Sequence, residues 1–79
     1  MKTMTCRQLG GACDEKFSAE TFEEIGELSK QHGMAMFEKN DAAHLEAMGR
    51  MKAMSQEPGK FQEWYEAKRK EFEALENDD

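Results

Sequence analysis

Two cysteines and two histidines are the side chains here whose chemistry goes beyond packing, and they are Cys6, Cys13, His32 and His44. Thiolate sulfur and imidazole nitrogen are the ligands that a tetrahedral Zn²⁺ site prefers, and two of each make a complete Cys2His2 set. Two thiolates also balance the charge of a divalent ion. The four residues are therefore a candidate metal site, provided that the fold brings them together.

The spacing of the cysteines is a weak signal by itself. Six residues separate Cys6 from Cys13, across Gly10 and Gly11, whereas zinc knuckles usually have about two to four. Two other interpretations stay open on the residues alone. Buried free cysteines behave as small hydrophobic residues in many cores, and a Cys6–Cys13 disulfide would close a small loop.

A methionine follows each histidine at the same distance, Met36 after His32 and Met48 after His44. A thioether one helical turn beyond each imidazole is compatible with a soft ion such as Cu⁺. Methionines at helical spacing more often fill gaps in a core. We therefore expect Zn²⁺ in preference to Cu⁺.

A short N-terminal segment must position the cysteines. Residues 2–6 alternate in polarity, and Gly10 with Gly11 is a turn signal. The pattern predicts a β-hairpin or an irregular cysteine loop over residues 1–18. Thr21 and Glu24 are then typical of a capping box, which predicts helix 1 over residues 20–39.

Two further helices follow in the prediction. Asn40 and Asp41 are typical of a helix end followed by a new N-cap, which predicts helix 2 over residues 41–55. Pro58 suits a first helical turn, so helix 3 is predicted over residues 58–75, before an acidic tail over 76–79. Short connections make neighbouring helices antiparallel. The prediction is one mainly α-helical domain over residues 1–79, with the cysteine segment packed on three antiparallel helices.

Both histidines fall on the apolar stripes of their helices, and their reach depends on where helix 1 ends. If helix 1 ends near Phe37 and helix 2 starts at Asp41, the positions of His32 and His44 along the helix axes differ by about 3 Å. If helix 1 continues to Asn40, the difference grows to about 7–8 Å. We expect a shared ion only in the first case.

The composition excludes several classes of function. The net charge of −6 disfavours both nucleic acid and anionic membrane surfaces. No apolar run approaches the roughly 18 residues of a membrane span, and no secretory signal is evident. We therefore expect a cytoplasmic protein, in which cysteines stay reduced and serve metal binding or catalysis more often than disulfides. No catalytic motif is recognisable, so we expect no enzyme.

The segments 1–6, 10–14, 21–24 and 29–34 resemble blocks of a bacterial family of uncharacterised short proteins, a domain of unknown function. That family is described as predicted small metal-binding proteins. Residues 43–48 are similar to a longer branch that continues with a third helix. The resemblance implies metal binding and carries over three ligands, Cys6, Cys13 and His32. Its shorter members have a further histidine where this chain has Leu28, so we expect His44 as the fourth ligand.

The predicted function is a small metal-binding protein with structural Zn²⁺, because four protein ligands leave no open position for catalysis. One alternative is a metal-free helical module that presents the Met-rich helix 2 or the aromatic helix 3 to a protein partner or to another copy. The other alternative is a thiol redox or stress-response protein.

Overall fold

Three helices pack on a short antiparallel hairpin in the computed structural model, which describes residues 1–77 and confirms the mainly α-helical fold. The strands are β1 (Lys2–Thr5) and β2 (Lys16–Ala19). The helices are α1 (Phe22–Glu38), α2 (Ala42–Ser55) and α3 (Lys60–Ala74). The last two residues of the predicted acidic tail, Asp78 and Asp79, lie outside the described residues.

The hairpin is real, and the cysteine loop is its connection. Met4 pairs with Phe17 across the two strands, and both side chains are buried. After β1 the chain forms a short 3-10 helix at Arg7–Leu9 and returns past Cys13 before β2 begins. The sequence predicted a hairpin or an irregular loop, and the structure has both. The two strands and the loop that connects them form one ribbon over residues 2–19.

Helix α1 begins at a side-chain cap, as the sequence predicts. The Thr21 hydroxyl accepts a hydrogen bond from the Glu24 backbone N–H and donates one to the Glu24 carboxylate. The helix passes Gly33 without a break and ends at Glu38. Asn40 then takes a left-handed conformation with φ of 55°, which turns the chain into Asp41, the N-cap of α2.

Helix α3 starts two residues later than the sequence predicts. Gly59 has a φ of 78° and forms the N-cap, so Pro58 lies outside the helix. The helix buries Phe72 against Phe22, with ring centroids 5.8 Å apart. It also accepts a hydrogen bond of 2.9 Å from the Lys2 ammonium at the Glu73 carbonyl. Helix α3 thus covers the ribbon and carries none of the four candidate ligands.

The apolar core lies between the ribbon, α1 and α3. Its buried members include Ile25 of α1, fully enclosed, and Leu9 of the cysteine loop. Over the described residues, no helix is long and apolar enough to cross a lipid bilayer. The cysteine loop meets α1 and α2 at one side of this core, and that junction positions the candidate site.

Candidate metal centre

The four predicted ligands come together where the cysteine loop meets α1 and α2. One ligand atom from each of Cys6, Cys13, His32 and His44 lies within 4.8 Å of all the others. Cys6 Sγ is 3.6 Å from His44 Nε2, and Cys13 Sγ is 3.3 Å from His32 Nε2. Zinc bonds of about 2.3 Å to sulfur and about 2.0–2.1 Å to nitrogen imply a tetrahedral S···N separation of about 3.5 Å. The two observed separations bracket that value.

The two histidines reach each other although α1 runs one residue beyond Phe37. Their ring centroids are 5.3 Å apart, with the planes at 74°. The His32 ring also packs edge-on against Phe17 of β2, at 5.5 Å. Both imidazoles therefore turn toward the cysteine loop from neighbouring helices, which answers the question of reach that the sequence left open.

The backbone of the cysteine loop folds around Cys6. The Cys6 carbonyl accepts hydrogen bonds from the N–H groups of Leu9 and Gly11, at 3.0 and 2.8 Å. Gly10 has a φ of 90°, a left-handed conformation that glycine adopts without strain. Gly11 is needed for a different reason, because a Cβ built there would lie 2.2 Å from Cys6 Sγ. The loop therefore has room for the thiol only with glycine at this position.

The two thiols differ in acidity. Burial raises the pKa of Cys6, but hydrogen bonds from the Cys13 N–H, the His44 ring and the Ala12 N–H lower the pKa below its ordinary value. Burial raises the pKa of Cys13, and the neighbouring Cys6 sulfur adds to the effect. A negative charge on Cys6 thus disfavours a second one on Cys13, and a cation between the two sulfurs would stabilise both thiolates.

Asp41 holds His44 in place. One carboxylate oxygen, Oδ2, accepts hydrogen bonds from both the backbone N–H and the ring Nδ1 of His44, at 3.0 and 2.6 Å. Asp41 raises the pKa of His44 through the side-chain bond, and His44 lowers the pKa of Asp41 in return. A carboxylate that orients a metal-binding imidazole through its second nitrogen is typical of zinc sites. Nε2 of His44 is thereby left facing Cys6.

Replacing Asp41 with asparagine is expected to weaken Zn²⁺ binding about 10–100-fold, the usual effect of losing such an outer partner. Asparagine remains a good N-cap, so helix α2 is retained and only the negative charge is removed. Competition with a chromophoric chelator measures the affinity, and circular dichroism controls for helix content. An unchanged affinity would mean that Asp41 serves only as a helix cap.

The structure brings together all four predicted site residues, whereas Leu28 has 37% of its surface exposed and lines a different cavity, beside Glu24 and Glu27. Asp41 and Gly11 are site features that the sequence prediction missed. The spacing of Asp41 and His44, with the aspartate as N-cap, could have indicated the first. No sequence signal separates Gly11 from an ordinary turn glycine.

Both cysteines are free thiols.

Comparison with models of known protein families, with curated proteins and with solved structures found no match to this chain. The resemblance to predicted metal-binding proteins therefore stays a prediction. The Cys2His2 cluster itself is able to hold a metal ion.

Proposed function

We propose that this chain is a small metal-binding protein that holds a structural Zn²⁺ through Cys6, Cys13, His32 and His44. One observation carries the proposal. Four ligand atoms from the cysteine loop, α1 and α2 converge within 4.8 Å, in the sulfur and nitrogen composition that zinc prefers. The resemblance of the sequence to predicted metal-binding proteins supports the same function.

The donor set favours Zn²⁺ over Cu⁺. Two sulfur and two nitrogen ligands in a tetrahedral arrangement are typical of zinc, and the two thiolates leave the centre neutral. Among the histidine, cysteine and acidic side chains of residues 1–77, the ligands that converge are two cysteines and two histidines, a combination that zinc prefers. Zinc therefore accounts for the site with the ligands that converge there.

The position of the site supports a structural role. The cysteine loop is anchored in the core by Cys6 and Leu9, whereas His32 and His44 belong to different helices. An ion bound to all four ties the ribbon to both helices. Small domains with thin cores often require such a cross-link. Four protein ligands leave no vacant coordination position while all four are bound, so we propose that the protein is not an enzyme.

Purification without chelator is expected to yield one zinc ion per chain, measured by inductively coupled plasma mass spectrometry against amino-acid analysis. The His44→Ala variant, purified in parallel, serves as the control and should lose most of the metal. Substoichiometric zinc in a fully reduced wild-type chain that also fails to bind added Zn²⁺ would contradict the proposal.

The interaction alternative retains one observation in its favour. Met34 and Phe37, on the outer side of α1, expose 58% and 61% of their surface. Both border a shallow apolar cavity that Met48 of α2 also lines. The predicted partner surface was helix 2 or helix 3, and of the residues named here only Met48 belongs to it. A protein partner or self-association stays a prediction, and it is compatible with a metal-bound structure.

A further inference from the structure

An open cavity adjoins the metal cluster. Its volume is about 230 Å³, several times the roughly 30 Å³ that one water molecule occupies. Three of the proposed ligands, Cys6, His32 and His44, lie on its wall. The remaining wall is mostly apolar, and includes Leu9, Ala47, Met48 and Met51. An ion held by the cluster would thus face a space large enough for a small molecule.

The two histidines on this wall are held differently. His44 has only 6% of its surface exposed, and its Nδ1 is fixed by Asp41 at 2.6 Å. His32 is only partly buried, and within residues 1–77 its one hydrogen-bonding contact is that of Nε2 with Cys13. Outer partners fix the orientation of a metal-binding imidazole. The His32 ring has no such outer hydrogen bond. Breaking its bond to an ion would therefore cost less free energy than breaking the bond of His44.

Resting on the proposed metal site, we propose that His32 is an exchangeable ligand and that the cavity admits a small neutral imidazole-type molecule in its place. The exchange forms a bond from the entering nitrogen to the metal and breaks the bond from His32 Nε2. No electrons are transferred, because one neutral nitrogen donor replaces another. The metal keeps two thiolates and two neutral nitrogens throughout.

Charge selects the neutral class of ligand. Two thiolates already balance a divalent ion, so an anionic donor would leave a negative centre against an apolar wall. The chain as a whole carries a net charge of −6, which further disfavours an approaching anion. A neutral nitrogen donor with a flat apolar ring satisfies the metal and the wall together.

Gly33 gives the means to close the cavity. It lies on the wall beside His32, and a Cβ built there would meet only the Met48 methyl, at 3.6 Å. Gly33 and Met48 also line the neighbouring cavity beside Met34 and Phe37, so a leucine at this position would fill space where the two cavities adjoin and would narrow the one beside the cluster. Gly49 of α2 offers a matched control, because a Cβ there meets nothing within 4 Å and the residue is not part of the cavity wall.

The test uses the full chain loaded with Co²⁺, whose absorption reports coordination number and thiolate ligands. In His32→Ala, imidazole should bind saturably and restore the absorption spectrum of four-coordinate Co²⁺. Because one nitrogen ligand is regained, the affinity for Co²⁺ should rise at least about tenfold. Adding Gly33→Leu to His32→Ala should abolish the imidazole effect, while adding Gly49→Leu should preserve it. In the wild-type Zn²⁺ protein, imidazole should shift the NMR signals of the His32 ring and leave those of His44 in place.

Three results would overturn the inference. In the first, the His32→Ala chain does not respond to imidazole or stays unfolded in its presence. In the second, the Gly33→Leu and Gly49→Leu variants respond equally to imidazole. In the third, imidazole displaces His44 from the metal before it displaces His32. Failure of the proposed function looks different, because the wild-type chain would then take up neither Co²⁺ nor Zn²⁺. A wild type that binds metal, with an unresponsive His32→Ala variant, overturns only the exchange.

Discussion

Removing the metal with a strong chelator is expected to unfold the protein, or to lower its melting temperature by tens of degrees. Structural zinc contributes about 10 kcal/mol or more to the folding of small metal-dependent domains. That contribution is comparable to the whole stability of an ordinary domain, about 5–15 kcal/mol. Thermal unfolding followed by circular dichroism, with and without chelator, measures the effect.

The double variant Cys6→Ser/Cys13→Ser is the control for this experiment. It lacks the thiolates, so its melting curve should be the same with and without chelator and should match the chelated wild type. Lowering the pH should destabilise the metal-loaded wild type more than the double variant, because protons compete with the metal for thiolate and imidazole. A wild-type curve that the chelator leaves unchanged would exclude a structural metal.

Replacing Gly11 with alanine is expected to weaken Zn²⁺ binding at least about 10–100-fold, since overpacking of this kind costs about 1–3 kcal/mol or more. The added Cβ would lie 2.2 Å from Cys6 Sγ and 3.0 Å from the Cys6 carbonyl oxygen, so the thiol has to move out of its place. Chelator competition gives the affinity, and the melting temperature of the metal-free chain shows how much of the loss is general destabilisation.

Gly49→Ala is the matched substitution. The residue lies within α2, is exposed, and a Cβ there meets nothing within 4 Å. Alanine should therefore leave metal affinity unchanged and stabilise the helix by up to about 1 kcal/mol. If Gly11→Ala binds zinc as tightly as Gly49→Ala does, the loop has more freedom around Cys6 than the structure indicates.

Much of this fold follows from local signals in the sequence. Thr21 with Glu24, Asn40 with Asp41, and Pro58 with Gly59 mark helix boundaries, because caps and breaks depend on a few neighbouring residues. The exact start of α3 was missed, since Gly59 rather than Pro58 sets the entry of the chain. Such one- or two-residue shifts reflect backbone conformations that residue type does not determine.

The site is a mixture of predictable and unpredictable features. The types of Cys6, Cys13, His32 and His44 indicate a metal, and apolar stripes place the histidines on the inner sides of their helices. Gly11 could not be recognised, because its requirement arises from a sulfur that only the folded loop brings next to it. The convergence of ligands from a loop and two helices depends likewise on tertiary packing.

The pairing of ligands across the chain has a consequence for the order of folding. Cys13 and His32, 19 residues apart, form a pair that lies inside the pair of Cys6 and His44, 38 residues apart. Closing the longer loop alone costs about 0.6 kcal/mol more in chain entropy, because that cost grows with the logarithm of loop length. Once the inner pair has met, the outer pair has a shorter remaining distance to close. The nested arrangement therefore favours a sequential route, in which the inner contact shortens the loop that the outer contact has to close, and the ribbon docks on α1 before α2 completes the centre.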